Sequence, residues 1–227
     1  MLVVMSGVGK LPLFRYTYQR EPVKYVGPRP GYVDGHSLGR LFLCGLVIFR
    51  WRLSEGPSLS AYHFFLHRPG LKQYVERLPN LPYKNLARIG RFLEVGCGAG
   101  RLLGAITTKY SAKGVGIDQY EPALQVGRLS DISKKLEFYH LKIERGDEVS
   151  RAFDEIFSIV FFASALTHIT RQNDCRPRLL RELMRQSRYI IAHEKYSSEL
   201  YEDLKTVGIE PDIEDGVLTF VWKRADD

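Results

Sequence analysis

The chain has 227 residues, 44% of them apolar and 26% charged, which excludes a disordered polymer and allows one well-packed domain with an extension. Its net charge of +7 is unevenly placed, with 14 Lys and Arg against 4 Asp and Glu in residues 1–91 and 19 against 22 in residues 92–227. The three cysteines, Cys44, Cys97 and Cys175, lie far apart, which excludes a cysteine-based metal site and a disulfide framework and fits a reducing, cytoplasmic setting.

Two zones follow in chain order. Residues 1–88 read as a basic N-terminal extension. The opening MLVVMSGVGK has neither a basic leader nor a small-residue cleavage site, so no secretory signal is expected. GVGK ends like a phosphate loop but lacks the upstream glycine spacing and the following Ser or Thr. GPRPGYVDGHSLG (27–39) is loop-like, and LFLCGLVIFRW reads as a strand. Its apolar run, residues 41–49, is about half of the ~20 residues that a bilayer span needs, so no membrane segment is expected. LSAYHFFLHRPGLKQYVERL (59–78) reads as a helix broken near Pro69-Gly70. The segments FRYTYQREPVKY and FRWR interleave basic and aromatic residues. That pattern can grip phosphates and stack bases, and it equally suits a basic strand with a packed aromatic face.

Residues 89–227 alternate strand and helix. RFLEV, GVGID (114–118), LEFYHLKI (136–143), IFSIVFFA (156–163) and RYIIAHE are apolar strand candidates. Helices are expected from Gly100 to Lys109, after Pro122, over RPRLLRELMRQS and over SSELYEDLKTVG, the last ending at Gly208. IEPDI and VLTFVWK flank Glu214-Asp215-Gly216, and Asp-Gly is a hairpin turn signal. The pattern predicts an α/β fold: a doubly wound, mostly parallel seven-stranded sheet with an antiparallel C-terminal hairpin, helices on both faces.

RFLEVGCGAGRLL (91–103) carries the chemistry. Ligands of such sheets bind beyond the carboxyl ends of the strands, where side chains would obstruct them. Gly96, Gly98 and Gly100 let bare backbone approach and turn. A dinucleotide fingerprint would put its third glycine at position 101, which is Arg101. Cys97 inside the loop reads as a small packing residue rather than a nucleophile.

LEVGCGAG, GVGID and FFASALTHI, together with the closing hairpin, resemble class I S-adenosylmethionine-dependent methyltransferases over residues 89–227. The resemblance implies S-adenosyl-L-methionine as cofactor. It gives Asp118 the ribose hydroxyls, which a carboxylate can accept as a pair, and gives Glu94 a place near the amino group of the methionine part. Gly96, Cys97, Gly98, Gly100, Gln119 and Ser164 join them as candidate cofactor-binding residues. For Asp118 the alternative is an ordinary turn or helix-start acid. Family members often carry an acid just after the 136–143 strand to contact adenine; here only Glu144 or Asp147 could serve, and only on a longer strand. No metal is implied.

Transfer from a charged sulfur needs alignment and exclusion of water, and an oxygen or nitrogen acceptor can also need a base. FFASALTHIT brings Ser164, Thr167 and His168 toward the acceptor. His168 is the first candidate base or acceptor-positioning group, against a role as loop anchor. His193 is the second catalytic candidate, and Glu194 beside it reads either as a mouth residue or as an ion-pair partner of Lys195. Cys175 reads as a thiol acidified by Arg176 and Arg171, or as an exposed loop thiol. The chain lacks the Asn/Asp-Pro-Pro-aromatic loop of base-amino methyltransferases and the Pro-Cys pair of carbon-5 cytosine enzymes. A small-molecule or glycan-like acceptor, anionic to match the basic zone, is therefore expected. The rivals are an RNA methyltransferase gripping nucleic acid through that zone, a non-catalytic binding protein, and an aminopropyl-transferring relative.

Overall fold

A computed structural model describes residues 90–131 and 134–225, together with the short strand β1 (Val23–Lys24). The strand and helix expected in residues 27–78 lie outside the described residues. One sheet runs in the order β1-β4-β3-β2-β5-β6-β8-β7. Its strands are β2 (Phe92–Val95), β3 (Gly114–Asp118), β4 (Leu136–His140), β5 (Phe157–Ala163), β6 (Ser187–Lys195), β7 (Asp212–Glu214) and β8 (Val217–Lys223). β4, β3, β2, β5 and β6 pair in parallel, whereas β8 is antiparallel to both neighbours. The seven expected strands are all present, and two-residue β1 adds an antiparallel edge beside β4.

The helices are α1 (Arg101–Tyr110), α2 (Glu121–Ser130), α3 (Glu148–Ala152), α4 (Cys175–Arg185) and α5 (Ser198–Thr206). Leu102, Leu103 and Ile106 form the apolar stripe of α1 and pack on Phe92, Ile159, Phe161, Tyr189 and Ile191. Leu179, Leu180 and Leu183 of α4, with Leu200 and Leu204 of α5, pack on Leu93, Val160, Phe162 and Ile190. Alternate residues of each central strand thus feed opposite cores, and helices cover both faces. Ser197 caps α5 by accepting the Leu200 N–H at 3.0 Å. Asp215 and Gly216 both have positive φ (50° and 73°), as a tight two-residue hairpin turn demands.

The structure differs from expectation locally. β4 ends at His140, three residues early, opposite Asp118, the last residue of its partner β3. The short helix α3 and the 3-10 turns Leu166–His168 and Gln172–Asp174 are too brief to show a period in sequence.

From β2 the chain winds through β3 and β4 to one side, then crosses to β5 on the other. The crevice for a ligand therefore opens above the tips of β2 and β5.

Candidate active site

The loop 96–100 begins at the tip of β2. The Gly96 and Cys97 N–H groups donate to the Ile117 carbonyl at 2.8 and 3.1 Å, which ties the loop to the end of β3. Gly96, Gly98 and Gly100 all lie in the left-handed region, at φ 72°, 54° and 70°. Their surroundings differ. A Cβ on Gly96 would stand 2.5 Å from the Ala165 Cβ, and one on Gly100 would enter the Phe138 ring at 2.4 Å. Among the described residues, a Cβ on Gly98 would meet nothing within 4 Å. Two glycines of the loop are thus demanded by packing, and the middle one borders space that no described residue fills.

Asp118 closes β3 beside that space. Its Oδ2 accepts the Gly98 N–H at 2.7 Å and its Oδ1 the Tyr120 N–H at 2.9 Å. The first bond brings the bare loop and the strand-tip carboxylate within reach of one ligand, and the second fixes the direction of the carboxylate. Gln119, next in line, is exposed, and its carbonyl lies 2.8 Å from the His140 Nε2.

Glu94 sits lower. It is buried, and its Oε2 accepts the Leu103 N–H at 3.0 Å in the first turn of α1. That bond satisfies a helix-start donor which Gly100, having no side chain, cannot satisfy. Cys97 packs with Leu124 and Phe138. Burial pushes its thiol well above the usual range, and the charges of Asp118 and Glu94 add to the effect. Both observations support the packing assignment.

Among the described residues no acid stands at the tip of β4. Glu144 pairs with Lys142 at 2.6 Å, and Asp147 binds Arg151 and Arg178, both at 2.7 Å. The Glu148 carboxylate folds back onto the N–H groups of Glu144, Arg145 and Gly146.

The other side of the crevice is built on β5 and β6. Ser164 follows β5 in the left-handed region, at φ 57°, and donates its N–H to the His193 carbonyl at 3.0 Å. His168 ends the 3-10 turn with an exposed ring, and its own N–H donates to the Ala165 carbonyl at 3.0 Å. His193 lies half-buried on β6, paired with Ala163 and Thr219.

Glu194 is buried and turned away from Lys195, which removes the reading as an ion pair. Its Oε1 accepts the N–H groups of Ala165 at 2.7 Å and Leu166 at 3.0 Å, and the Thr167 hydroxyl reaches its Oε2 at 3.4 Å. Burial raises its pKa, and these donors offset part of that rise. Behind the same loop, buried Arg176 donates to the Ile169 carbonyl at 2.9 Å and pairs with buried Asp203 at 3.1 Å.

Cys175 corrects both readings of that thiol. It opens α4 fully buried, and burial, with the Glu148 charge, pushes it up to about 11. Among the described residues no three His, Cys, Asp or Glu gather as a metal would require, and no helix is long and apolar enough to cross a membrane.

The parallel sheet with its inserted antiparallel strand, and the glycine loop facing a strand-tip carboxylate, agree with the comparisons. A family model described as a methyltransferase domain matches residues 88–211, more than half of the chain, and the chain belongs to that family. Among solved structures, an O-methyltransferase family protein from Burkholderia thailandensis superposes with a TM-score of 0.56 at 10% identity, over 85% of this chain and 74% of that one. WbdD, crystallised with a kinase inhibitor, gives 0.51 at 20% identity, over 66% of this chain; the match spans only 39% of WbdD. A chain of the Haloferax volcanii complex containing the Trm112 methyltransferase activator gives 0.52 at 15% identity, over 78% and 95%. At these identities the likeness is one of fold. No curated protein matches the sequence.

Proposed function

We propose that the chain is an S-adenosyl-L-methionine-dependent methyltransferase acting on a small or glycan-like, anionic acceptor. The observation that carries the reading is the Gly98–Asp118 contact at 2.7 Å, with space over Gly98 that no described residue fills, at the switch point of the sheet. The donor set suits a nucleoside thioether. Bare main chain admits the flat ligand, and an acceptor-only carboxylate held by two N–H groups faces the crevice where a diol would present two donors. Gly96, Gly98 and Gly100 would line the methionine end. Asp118, with Gln119 beside it, would take the ribose, and Glu94 would support the loop through α1. When bound, the cofactor supplies a methyl group already activated on positively charged sulfur.

The remaining work falls to the chain's own residues. Ser164 and the turn 166–168 would align the acceptor. His168 would accept a proton from an acceptor hydroxyl or amine, with His193 as the second candidate on the neighbouring strand. The excess of 14 basic over 4 acidic residues in 1–91 supports an anionic acceptor.

Calorimetry with S-adenosylhomocysteine tests the cofactor. Binding is expected for the unmutated protein, and Asp118→Ala should weaken it by about 10- to 100-fold, the worth of a hydrogen-bonded charge. Absence of heat in the unmutated protein would refute the enzyme and leave a binding module that has kept the fold. The RNA reading draws on the basic and aromatic interleaving of the N-terminal zone; tight RNA binding that falls steeply with salt would favour it.

A further inference from the structure

The wall of the crevice opposite Asp118 is the loop 164–168, and it is fixed by a residue 28 and 29 positions from the two amides that it binds. Ala165 is the critical member. Its Cβ occupies the space that a side chain on Gly96 would need, so the loop after β5 and the glycine loop after β2 touch directly. Displacement of Ala165 would change the crevice where its two halves meet.

The backbone here has little stability of its own. Ser164 holds a left-handed conformation that non-glycine residues adopt at a cost of about 1–2 kcal/mol, and the 3-10 turn is three residues long. Two consecutive N–H groups, those of Ala165 and Leu166, converge on one oxygen of Glu194, and the Thr167 hydroxyl reaches the other. Glu194 itself is 1% exposed, so solvent cannot replace these bonds. A buried carboxylate is costly unless donors surround it, and here the donors are the loop itself.

Resting on the methyltransferase reading, we infer that Glu194 is a positioning residue that sets the crevice by holding Ala165 against Gly96, so cofactor affinity depends on a side chain that does not reach the cofactor. It acts through hydrogen bonds accepted from the main chain. Glutamine, whose amide oxygen can accept the same two N–H groups and whose NH2 can donate to Thr167, should therefore replace it, and alanine should not.

The test pairs calorimetry, with S-adenosylhomocysteine as the probe, with amide exchange on the ligand-free protein. Glu194→Ala should weaken binding about tenfold or more and speed exchange at Ala165 and Leu166, while the amides of β3 and α2 keep their protection. Glu194→Gln should restore both readouts to within about threefold of the unmutated protein. Should the alanine variant fail to fold, Glu194→Asp, which withdraws the carboxylate by one methylene, is read in its place. Unchanged affinity in a folded alanine variant overturns the inference, as does a glutamine variant as weak as the alanine one. If the unmutated protein binds no probe, the cofactor reading fails alone. Exchange at 165 and 166 still decides whether Glu194 holds the loop.

Discussion

The two halves of the crevice are made by different means. On the β2–β3 side the crevice surface is main chain, shaped by three glycines at positive φ and one strand-tip carboxylate within 22 residues of them. On the β5–β6 side the surface is a short turn held from behind by Glu194 and by Arg176 backed by Asp203. The first half is local and carried by residue type. The second is assembled by elements that meet only after folding. Its tolerance to substitution should differ accordingly.

The largest expected effect is on the acceptor side. Once an acceptor is found, His168→Ala should slow methyl transfer about 100-fold or more, the lower range for loss of a general base, with S-adenosylhomocysteine affinity unchanged. A rate within about threefold of the unmutated enzyme would reduce His168 to a loop residue and move the role to His193. Next comes a contrast within the glycine loop. Gly96→Ala should cost about 2–4 kcal/mol in urea unfolding, because it adds left-handed strain to a clash with Ala165. Gly98→Ala should cost only the strain, about 1–2 kcal/mol, yet weaken S-adenosylhomocysteine roughly tenfold by filling the space the ligand needs. If the two variants lost stability and affinity in the same proportion, the division between packing glycine and ligand glycine would fall.

The smallest effect concerns pH. Cys175 and Tyr139 hold their protons more tightly folded than unfolded. Burial comes first for both, and for Tyr139 the hydrogen bond to Glu137 follows; their values rise from 9.0 to about 11 and from 10.0 to about 12. Their contribution is complete below pH 9 and is lost as pH climbs through 11 for the thiol and 12 for the phenol. Urea midpoints should therefore fall across that alkaline range, and Cys175→Ala should flatten the first part of the fall. A midpoint that stays level to pH 11 would show that the thiol is not held as described.

The same contrast explains what could be read from the sequence. The strand and helix alternation, the hairpin at Asp215-Gly216, and the loop from Gly96 to Gly100 were legible because glycine spacing and apolar period encode backbone geometry directly. Asp118 was legible because it ends a strand. Glu194 was not. A Glu-Lys neighbour pair on a strand end looks solvent-facing, yet strand alternation turns Glu194 inward with Ile190 and Ala192 and leaves Lys195 outside. Glu94 was visible as an acid in the right place, but its use as the start-of-helix acceptor for α1 depends on Gly100 having no side chain to offer. In sequence Arg176 stands as a charge beside Cys175, whereas the fold commits that guanidinium to Asp203 and buries the thiol.

The hairpin has a consequence beyond topology. A sheet grown only by parallel crossovers would end beyond β6 in a long ribbon of unpaired amides and carbonyls, a template on which another molecule could extend it. Here β8 covers β6 along seven residue pairs, and the outer border is the three-residue β7, with a carboxylate at each end in Asp212 and Glu214. A stub this short and this negative repels its own copies. The turn at Asp215-Gly216 thus serves colloidal behaviour, guarding one flank of the molecule against growth into fibres.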